Sequence, residues 1–220
     1  MFRMVTLERE YGCGCAGIAK QLADRLHWKV WDHQLTEEIA KRANVDCGTV
    51  EEHEERRDNA FYRLAKTFWR GSYERAIPLA EPESFDADCM VRMMEGITAM
   101  IAEEGNAVVV GRGAPYFLRS RADTFRVFLY APREEKVRRL ISSGTSLEEA
   151  DDLVDTVDRE RMAFIKHYFN ADWPTRSLYH LMINTVVGDE NVVTTILETM
   201  ALLQGSSPVP EPAMRGLSSK

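Results

Sequence analysis

Three glycines lie close together near the start of the chain, within the segment Glu8-Arg9-Glu10-Tyr11-Gly12-Cys13-Gly14-Cys15-Ala16-Gly17. Glycine lets the backbone adopt positive φ, so successive N–H groups can converge on one point. At the start of a helix the helix dipole adds to their field, and together they attract an anion. The segment therefore predicts a phosphate-binding loop, here called the phosphate loop, with the members Gly12, Cys13, Gly14, Cys15, Ala16 and Gly17.

A single arginine between two glycines is the second chemical signal. The apolar residues 107–110 predict a strand buried on both faces, and Gly111-Arg112-Gly113 follows it. Open parallel sheets bind ligands at the carboxyl ends of their strands. A guanidinium there can hold a phosphate through two parallel hydrogen bonds, which a lysine cannot do. Arg112 is therefore a candidate phosphate ligand, and the alternative is a surface arginine on a loop.

A group of arginines follows the fourth predicted strand. Its members are Arg133, Arg138, Arg139, Arg159 and Arg161. Phosphoryl transfer requires a protein mainly to position two phosphates and to neutralise charge on the migrating group, so cationic side chains on a movable lid suit it. Each arginine alone is an ordinary helix charge. With the phosphate loop and Arg112, they suggest a kinase.

The elements that must position these residues follow from hydrophobic periodicity, which alternates between strand-like and helix-like and predicts an α/β fold with a parallel sheet. The predicted strands are residues 3–7, 28–32, 107–111, 124–130 and 179–184. The predicted helices are residues 16–26, 35–42, 50–69, 87–104, 132–140 and 146–168. Strand, glycine turn and helix at the start of the chain open a βαβ unit.

The length of 220 residues predicts one domain over residues 1–204. Residues 33–104 are interpreted as a helical insertion on the acceptor side, and residues 133–172 as the lid region. Residues 205–220 carry three of the eight prolines and are predicted to be a disordered tail.

A dehydrogenase is the alternative that the glycine pattern raises. Gly12, Gly14 and Gly17 match G-x-G-x-x-G, and Asp32 follows near the distance at which a dinucleotide-binding fold carries its acidic residue. The long helical stretch after Asp32 opposes this interpretation, because such a fold continues with another compact βαβ pair. Saturable NAD binding would support it.

Composition limits the partners. With 28 basic and 35 acidic residues the net charge is −7, which disfavours nucleic acid and anionic membranes. No apolar run has the length of a membrane span and no signal peptide is recognised, so we expect a cytoplasmic protein with reduced thiols. The four cysteines contain no C-x-x-C pair, and no metal ligands are predicted.

Several segments together resemble the cytidylate kinase-like family, which is related to the bacterial cytidylate kinases of the P-loop nucleoside monophosphate kinase group. The matching segments are residues 9–14, 18–23, 110–114, 125–132, 173–179 and 183–185. The likeness extends from about residue 3 to residue 200, and the helical insertion matches least.

The resemblance implies a three-layer αβα fold with a five-stranded parallel sheet. It also implies that the protein uses ATP, with Mg²⁺ bound through the nucleotide, to phosphorylate a pyrimidine nucleoside monophosphate such as CMP or dCMP. By the same resemblance the phosphate loop binds ATP. The remaining assignments are Arg112 to the acceptor phosphate, Arg159 and Arg161 to the catalytic lid arginines, and Asp32 and Gln34 to the acceptor-binding segment.

Two departures from the pattern, a missing lysine and a missing hydroxyl, support a second hypothesis, and a third departure concerns specificity. The motif G-x-x-x-x-G-K-[ST] supplies a lysine and a hydroxyl, whereas Cys15 and Ala16 occupy those positions here. The nearest lysine is Lys20, about one helical turn further on. Gly113 replaces an aspartate of the cytidylate kinases proper, which affects cytidine specificity. The alternative function is therefore a catalytically silent nucleotide-binding sensor or interaction module.

Two further hypotheses concern other side chains. Thiols at a helix N-terminus can have a depressed pKa, so oxidation of Cys13 or Cys15 could gate the phosphate loop, although small side chains that simply fit the turn are the preferred explanation. An aromatic group could stack on a base or form a homodimer face, but its helical spacing favours core packing. Its members are Phe61, Tyr62, Phe68, Trp69 and Tyr73.

Overall fold

The computed structural model describes residues 1–32 and 87–205. Five strands run through these residues: β1 Met4–Arg9, β2 Lys29–Trp31, β3 Ala107–Val110, β4 Thr124–Tyr130 and β5 Leu181–Asn184. The α-helices among them are α1 Cys15–Leu26, α2 Ala87–Glu104, α3 Ala114–Phe117, α4 Arg133–Ser142, α5 Leu147–Phe169 and α6 Asp189–Gly205. The α/β prediction is confirmed, and each of the five predicted strands lies where the sequence indicated.

All pairings in the sheet are parallel, in the order β2-β3-β1-β4-β5. The third strand therefore lies between the first and second. A dinucleotide-binding fold places its second strand directly beside its first. The strand order consequently opposes the dehydrogenase alternative.

Helices cover both faces of the sheet, which gives the predicted three layers. On one face α1 and α6 pack against the central strands, because both present an apolar stripe to the sheet. Ile18 and Leu22 of α1 and Ile196 of α6 are fully buried there, with Val5 and Val108 of the sheet. The apolar strands are thus buried on both sides, as their composition requires.

The opposite face is covered by α2 and α5. Met94, Ile97 and Ile101 of α2 pack with Met4 of β1 and Phe164 of α5 in a second core cluster. The sequence analysis included this helix in the insertion, whereas it forms part of a core layer. Residues 33–86 lie outside the described part of the chain, so the insertion, its two earlier helices and its aromatic group stay predictions.

Residues 133–172, predicted to be the lid region, contain the paired helices α4 and α5. Pro132 caps the start of α4, and the Ser146 side chain caps α5 by accepting a hydrogen bond from the Glu149 N–H at 3.2 Å. Val137 and Val157 pack together with Tyr11, which precedes the phosphate loop. This packing brings the lid helices against the loop.

Two further sequence expectations concern the membrane and the C-terminus. Within residues 1–32 and 87–205, no helix combines the length and the apolar character that a membrane crossing requires. The predicted tail beyond residue 205 lies outside the described residues and stays a prediction.

Candidate phosphate-binding site

The phosphate loop connects β1 to α1, as the sequence predicted. Gly12 and Gly14 have φ values of 76° and 82°, and Gly14 is the N-cap of α1. Glycine adopts this left-handed conformation without the penalty that a Cβ would bring. Gly17, which the sequence analysis included in the turn, instead lies in the first turn of α1. The free first-turn N–H groups of a helix favour an anion at this end.

The underside of the loop is held by one arginine and one threonine. Arg139 Nη1 and Thr185 Oγ1 both donate hydrogen bonds to the Cys13 carbonyl oxygen, the second at 2.8 Å. Arg139 Nη1 also lies 2.9 Å from Thr185 Oγ1. A Cβ atom on Gly14 would lie 2.8 Å from the same guanidinium nitrogen. Arg139 therefore fixes the loop's shape and requires a glycine at its bend.

The two loop cysteines are buried, with exposed fractions of 1% for Cys13 and 4% for Cys15. Burial raises the pKa of Cys13 to about 12, an increase that the nearby charge of Arg9 only partly offsets. Burial raises the pKa of Cys15 as well. The expectation of depressed thiol pKa values is therefore wrong, because loss of hydration outweighs the helix N-terminus. The thiols fill space beneath the loop.

Arg112 is buried at the carboxyl end of β3, with 2% of its surface exposed. Gly111, Arg112 and Gly113 have φ values of 61°, 60° and 70°, so three consecutive residues are left-handed. For a non-glycine residue this conformation costs about 1–2 kcal/mol, and such strain is typical of functional positions. The surface-arginine alternative for Arg112 is therefore wrong.

Asp32 lies close to Arg112 and is itself buried. Burial lowers the pKa of Arg112 to about 10, and the Asp32 carboxylate opposes part of that decrease. Because strands β2 and β3 are neighbours, their carboxyl ends bring these two residues together. Two residues that the resemblance assigns to acceptor binding thus lie near each other, and their acceptor-binding role stays a prediction.

Arg161 of α5 connects the lid to the end of β1. Its Nη1 donates to the Arg9 carbonyl oxygen at 2.8 Å and to Asp158 Oδ1 at 3.2 Å. Asp158 Oδ1 also accepts a hydrogen bond from the Tyr11 N–H at 2.8 Å. The burial of Arg161 lowers its pKa. This predicted lid arginine therefore lies at the loop's entrance, in contact with the protein backbone.

A lysine that the sequence analysis did not select joins the same network. Lys136 Nζ of α4 lies 3.0 Å from Glu10 Oε2 and 3.2 Å from Asp158 Oδ2. A Cβ atom on Gly12 would lie 3.1 Å from Lys136 Cβ, so the loop packs closely on α4. Lys20, the nearest lysine in sequence, is exposed on α1. Tertiary packing thus brings cations to the loop from other elements.

The remaining predicted arginines do not converge on the loop. Arg159 is exposed, and within the described residues its hydrogen bond is to Thr156 Oγ1 at 3.3 Å. Arg133 pairs with Asp151 and Asp155. Arg138 pairs with Glu135. Gln34 lies outside the described residues. The roles of Arg159 and Gln34 stay predictions.

Two adjacent charged residues were missed by the sequence analysis. Glu8 and Arg9 end β1 and are 1% and 5% exposed, and Arg9 Nη1 lies 3.6 Å from Glu8 Oε1. A charged pair at the end of an otherwise apolar buried strand was the signal that could have identified them. Their charges lie beside those of Arg112 and Arg161. The buried charge cluster, here Glu8, Arg9, Asp32, Arg112 and Arg161, therefore underlies the phosphate loop.

The residues present fit a polyphosphate better than a protein-bound metal ion. The N-terminus of α1 and the buried arginines supply donors and positive charge for an anion. Cys15 and Ala16 supply neither a cation nor a hydroxyl. Among residues 1–32 and 87–205, no three acidic, histidine or cysteine side chains form a cluster suited to a metal ion. Mg²⁺ bound through the nucleotide stays a prediction.

A parallel five-stranded sheet with this strand order, a glycine loop before α1 and arginines at the carboxyl edge defines a P-loop kinase fold. Residues 4–186 match the cytidylate kinase-like family, and the chain belongs to that family. A cytidylate kinase from Methanosarcina mazei is 25% identical over 123 residues, which are 54% of this chain and 68% of the relative. Family and fold together support a kinase-like phosphotransferase.

Solved structures share the fold at low identity. An uncharacterized protein from Eubacterium ventriosum has a TM-score of 0.64 and 21% identity, with coverage of 92% of this chain and 99% of that one. A gluconokinase from Sinorhizobium meliloti has a TM-score of 0.53 and 13% identity, covering 91% and 92%. A shikimate kinase from Acinetobacter baumannii, in complex with shikimate, has a TM-score of 0.51 and 14% identity, covering 94% and 97%.

Proposed function

We propose that this protein is a nucleoside monophosphate kinase that transfers a phosphoryl group from ATP to a pyrimidine nucleotide such as CMP or dCMP. Membership of the cytidylate kinase-like family and the relative named cytidylate kinase support the substrate class. The observation that carries the proposal is Arg112, which is buried in a strained left-handed turn beside Asp32 and under the phosphate loop.

In this proposal the backbone N–H groups of residues 12–17 hold the ATP phosphates. Arg112 holds the acceptor phosphate, because a buried guanidinium binds two phosphate oxygens at fixed geometry. Asp32 and Gln34 contribute to the acceptor segment, and Asp32 also keeps Arg112 charged by opposing the effect of its burial. ATP arrives with Mg²⁺, which neutralises phosphate charge.

The lid has a positioning role. Arg161 and Asp158 connect α5 to the entry of the phosphate loop, so movement of α5 would be transmitted to the loop. Arg159 is exposed on the same helix and would act only after α5 approaches the phosphates. Such closure excludes water and completes a phosphoryl-transfer site.

Activity is tested by a coupled assay with purified protein, ATP, Mg²⁺ and each ribonucleoside and deoxyribonucleoside monophosphate. We expect turnover with CMP or dCMP above that with the purine nucleotides. Arg112→Lys is the matched variant, because it keeps the charge but removes the two-point grip, and we expect KM for the acceptor to rise about tenfold or more. Background turnover with every acceptor would contradict the proposal.

A silent nucleotide-binding protein is the second candidate. Cys15 and Ala16 favour it, because a buried thiol and a methyl group replace the lysine and the hydroxyl of the usual loop. This candidate predicts calorimetric binding of ATP without phosphorylation of any acceptor. Acceptor turnover in the coupled assay would exclude it.

A further inference from the structure

Arg9 is a buried arginine whose charge is balanced by nearby acidic groups but whose guanidinium is not fully hydrogen-bonded by the described residues. Its exposed fraction is 5%, and its Nε has no hydrogen-bond partner among residues 1–32 and 87–205. The charged group that pairs with its guanidinium in the described residues is Glu8, at an Nη1–Oε1 distance of 3.6 Å. A guanidinium carries five N–H donors, and burying them unsatisfied is costly. The Nε donor of Arg9 is therefore left unsatisfied by this part of the chain and could be satisfied by a ligand.

The position of the Arg9 guanidinium is next to the lysine position of the loop motif. When G-x-x-x-x-G-K-[ST] is placed with its second glycine on Gly14, the lysine falls on Cys15 and the first glycine on Arg9. The charge of Arg9 acts on Cys15, Cys13 and Asp32, so the guanidinium lies near the start of α1. Compared with the motif, this chain therefore has a cation, Arg9, in place of the first glycine, and no cation at Cys15, where the motif has its lysine.

Gly111 makes this placement sterically feasible. A Cβ atom on Gly111 would collide with Arg9 Nη1, so the guanidinium occupies the space that a side chain there would fill. Gly111 continues the β1–β3 pairing by donating its N–H to the Leu7 carbonyl oxygen at 2.8 Å. The glycine before Arg112 therefore serves two arginines: it turns the backbone for Arg112 and leaves room for Arg9.

Three buried guanidinium groups come together at this point. Arg9, Arg112 and Arg161 repel one another, since each lies within electrostatic reach of the other two. The carboxylates of Glu8 and Asp32 offset part of that repulsion. An anion bound among the three guanidinium groups would offset the remaining repulsion, because opposite charges interact strongly in a partly desolvated site.

We propose that Arg9 supplies the polyphosphate-binding cation that Cys15 cannot supply. The inference rests on the proposed function insofar as the loop must bind a nucleotide. Arg9 would donate to the phosphates from beneath the loop, while Lys20 on the exposed face of α1 takes no part. The contribution of Arg9 to binding affinity grows with the number of phosphates on the ligand, because Arg9 contacts the phosphate chain and not the nucleoside.

The test compares affinities for ATP, ADP and AMP by titration calorimetry in the full chain. The main variant is Glu8→Gln with Arg9→Met, which removes the buried pair together and so leaves no isolated charge. We expect ATP and ADP affinities to fall about 10–100-fold, the effect of losing charge-assisted hydrogen bonds. AMP affinity should change less than about threefold. Lys20→Met is the matched control and should bind all three as the wild type does.

Two single variants keep the inference decidable if the double variant does not fold. Gly111→Ala displaces the Arg9 side chain without removing it. Because it also strains the turn before Arg112, a loss of ATP affinity supports the role of Arg9 only where AMP affinity is kept. Arg9→Lys keeps the positive charge but loses the paired N–H donors of the guanidinium, so its ATP affinity should lie between those of the wild type and the double variant. Thermal melting checks folding. Folded variants that bind ATP within about threefold of the wild type would overturn the proposed role of Arg9 and leave the proposed function standing. A wild-type protein that binds no ATP would overturn both.

Discussion

Arginines lie at both ends of the sheet, and their surroundings differ. At the amino end, Arg3 Nη2 donates to the carbonyl oxygens of Glu103 and Glu104 at 3.0 and 3.1 Å. Arg121 donates to Asp123 at 2.9 and 3.0 Å and to the Ala102 carbonyl oxygen at 3.3 Å. These cations complete the C-terminus of α2, where carbonyl groups lack helical partners.

At the carboxyl end, the arginines are more deeply buried and lie close to one another. Arg9, Arg112 and Arg161 have exposed fractions of 5%, 2% and 4%, whereas the Arg121 side chain is 28% exposed. Mutual repulsion and strained backbone make this end costly to fold. The contacts at the amino end indicate that its arginines stabilise the fold. Under the proposed function, the arginines at the carboxyl end bind an anionic ligand instead.

The largest expected effect comes from truncating the carboxyl end. Arg112→Ala removes the proposed acceptor-phosphate ligand, and losing one preorganised charge-stabilising group typically lowers kcat about 10²–10³-fold. The melting temperature should fall modestly, because alanine keeps the left-handed backbone and the buried Asp32 loses a neighbouring positive charge. Coupled kinetics and thermal melting measure the two effects. A large loss of stability with activity retained would show that Arg112 stabilises the fold and does not serve the reaction.

A smaller and opposite effect is expected at the amino end. Arg121→Ala removes the contacts with Asp123 and the end of α2 and should destabilise the fold by about 1 kcal/mol, the usual size for partly exposed ion pairs and hydrogen bonds. The kcat and KM values should match those of the wild type. Denaturant unfolding and the coupled assay provide the comparison. Loss of activity without loss of stability would show that this end also serves function.

The smallest effect concerns the loop thiols. Because burial raises the pKa of Cys13 to about 12, its thiolate becomes abundant only as the pH approaches 12. Raising the pH from 7 to 9 should therefore leave alkylation of native Cys13 and Cys15 slow, while the urea-unfolded chain reacts readily. Iodoacetamide labelling with peptide mass spectrometry measures each cysteine separately. Rapid labelling of Cys13 in the native protein at pH 7 would restore the redox-gate hypothesis.

The sequence was informative about elements whose signal is local. Apolar residues at helical spacing in α1 and the apolar run of β3 predicted those elements within about one residue. The glycines around Arg112 likewise predicted a tight turn. Gly17 was wrongly assigned to the turn, because glycine is compatible with both a left-handed bend and a helix. Its surroundings in the fold decide which conformation it adopts.

The candidate site was predicted in part. Arg112 was identified because it follows a buried strand at the carboxyl edge of a parallel sheet. Asp32 was identified by its distance after the glycine pattern and by the family resemblance. Arg9 and Glu8 were missed, since a polar pair at a strand end has the same composition as an exposed end. The low pKa expected for the thiols failed because it considered the helix N-terminus without the burial that outweighs it.

By itself, the sequence determined the α/β class, the glycine loop before the first helix and the arginine turn after β3, because each depends on the conformational preferences of neighbouring residues. Only the tertiary structure decided that β3 lies between β1 and β2 and that three guanidinium groups meet beneath the loop. The physical reason is distance: contacts between residues such as Arg9 and Arg161, 152 positions apart, arise from strand order and helix packing. No local pattern encodes them.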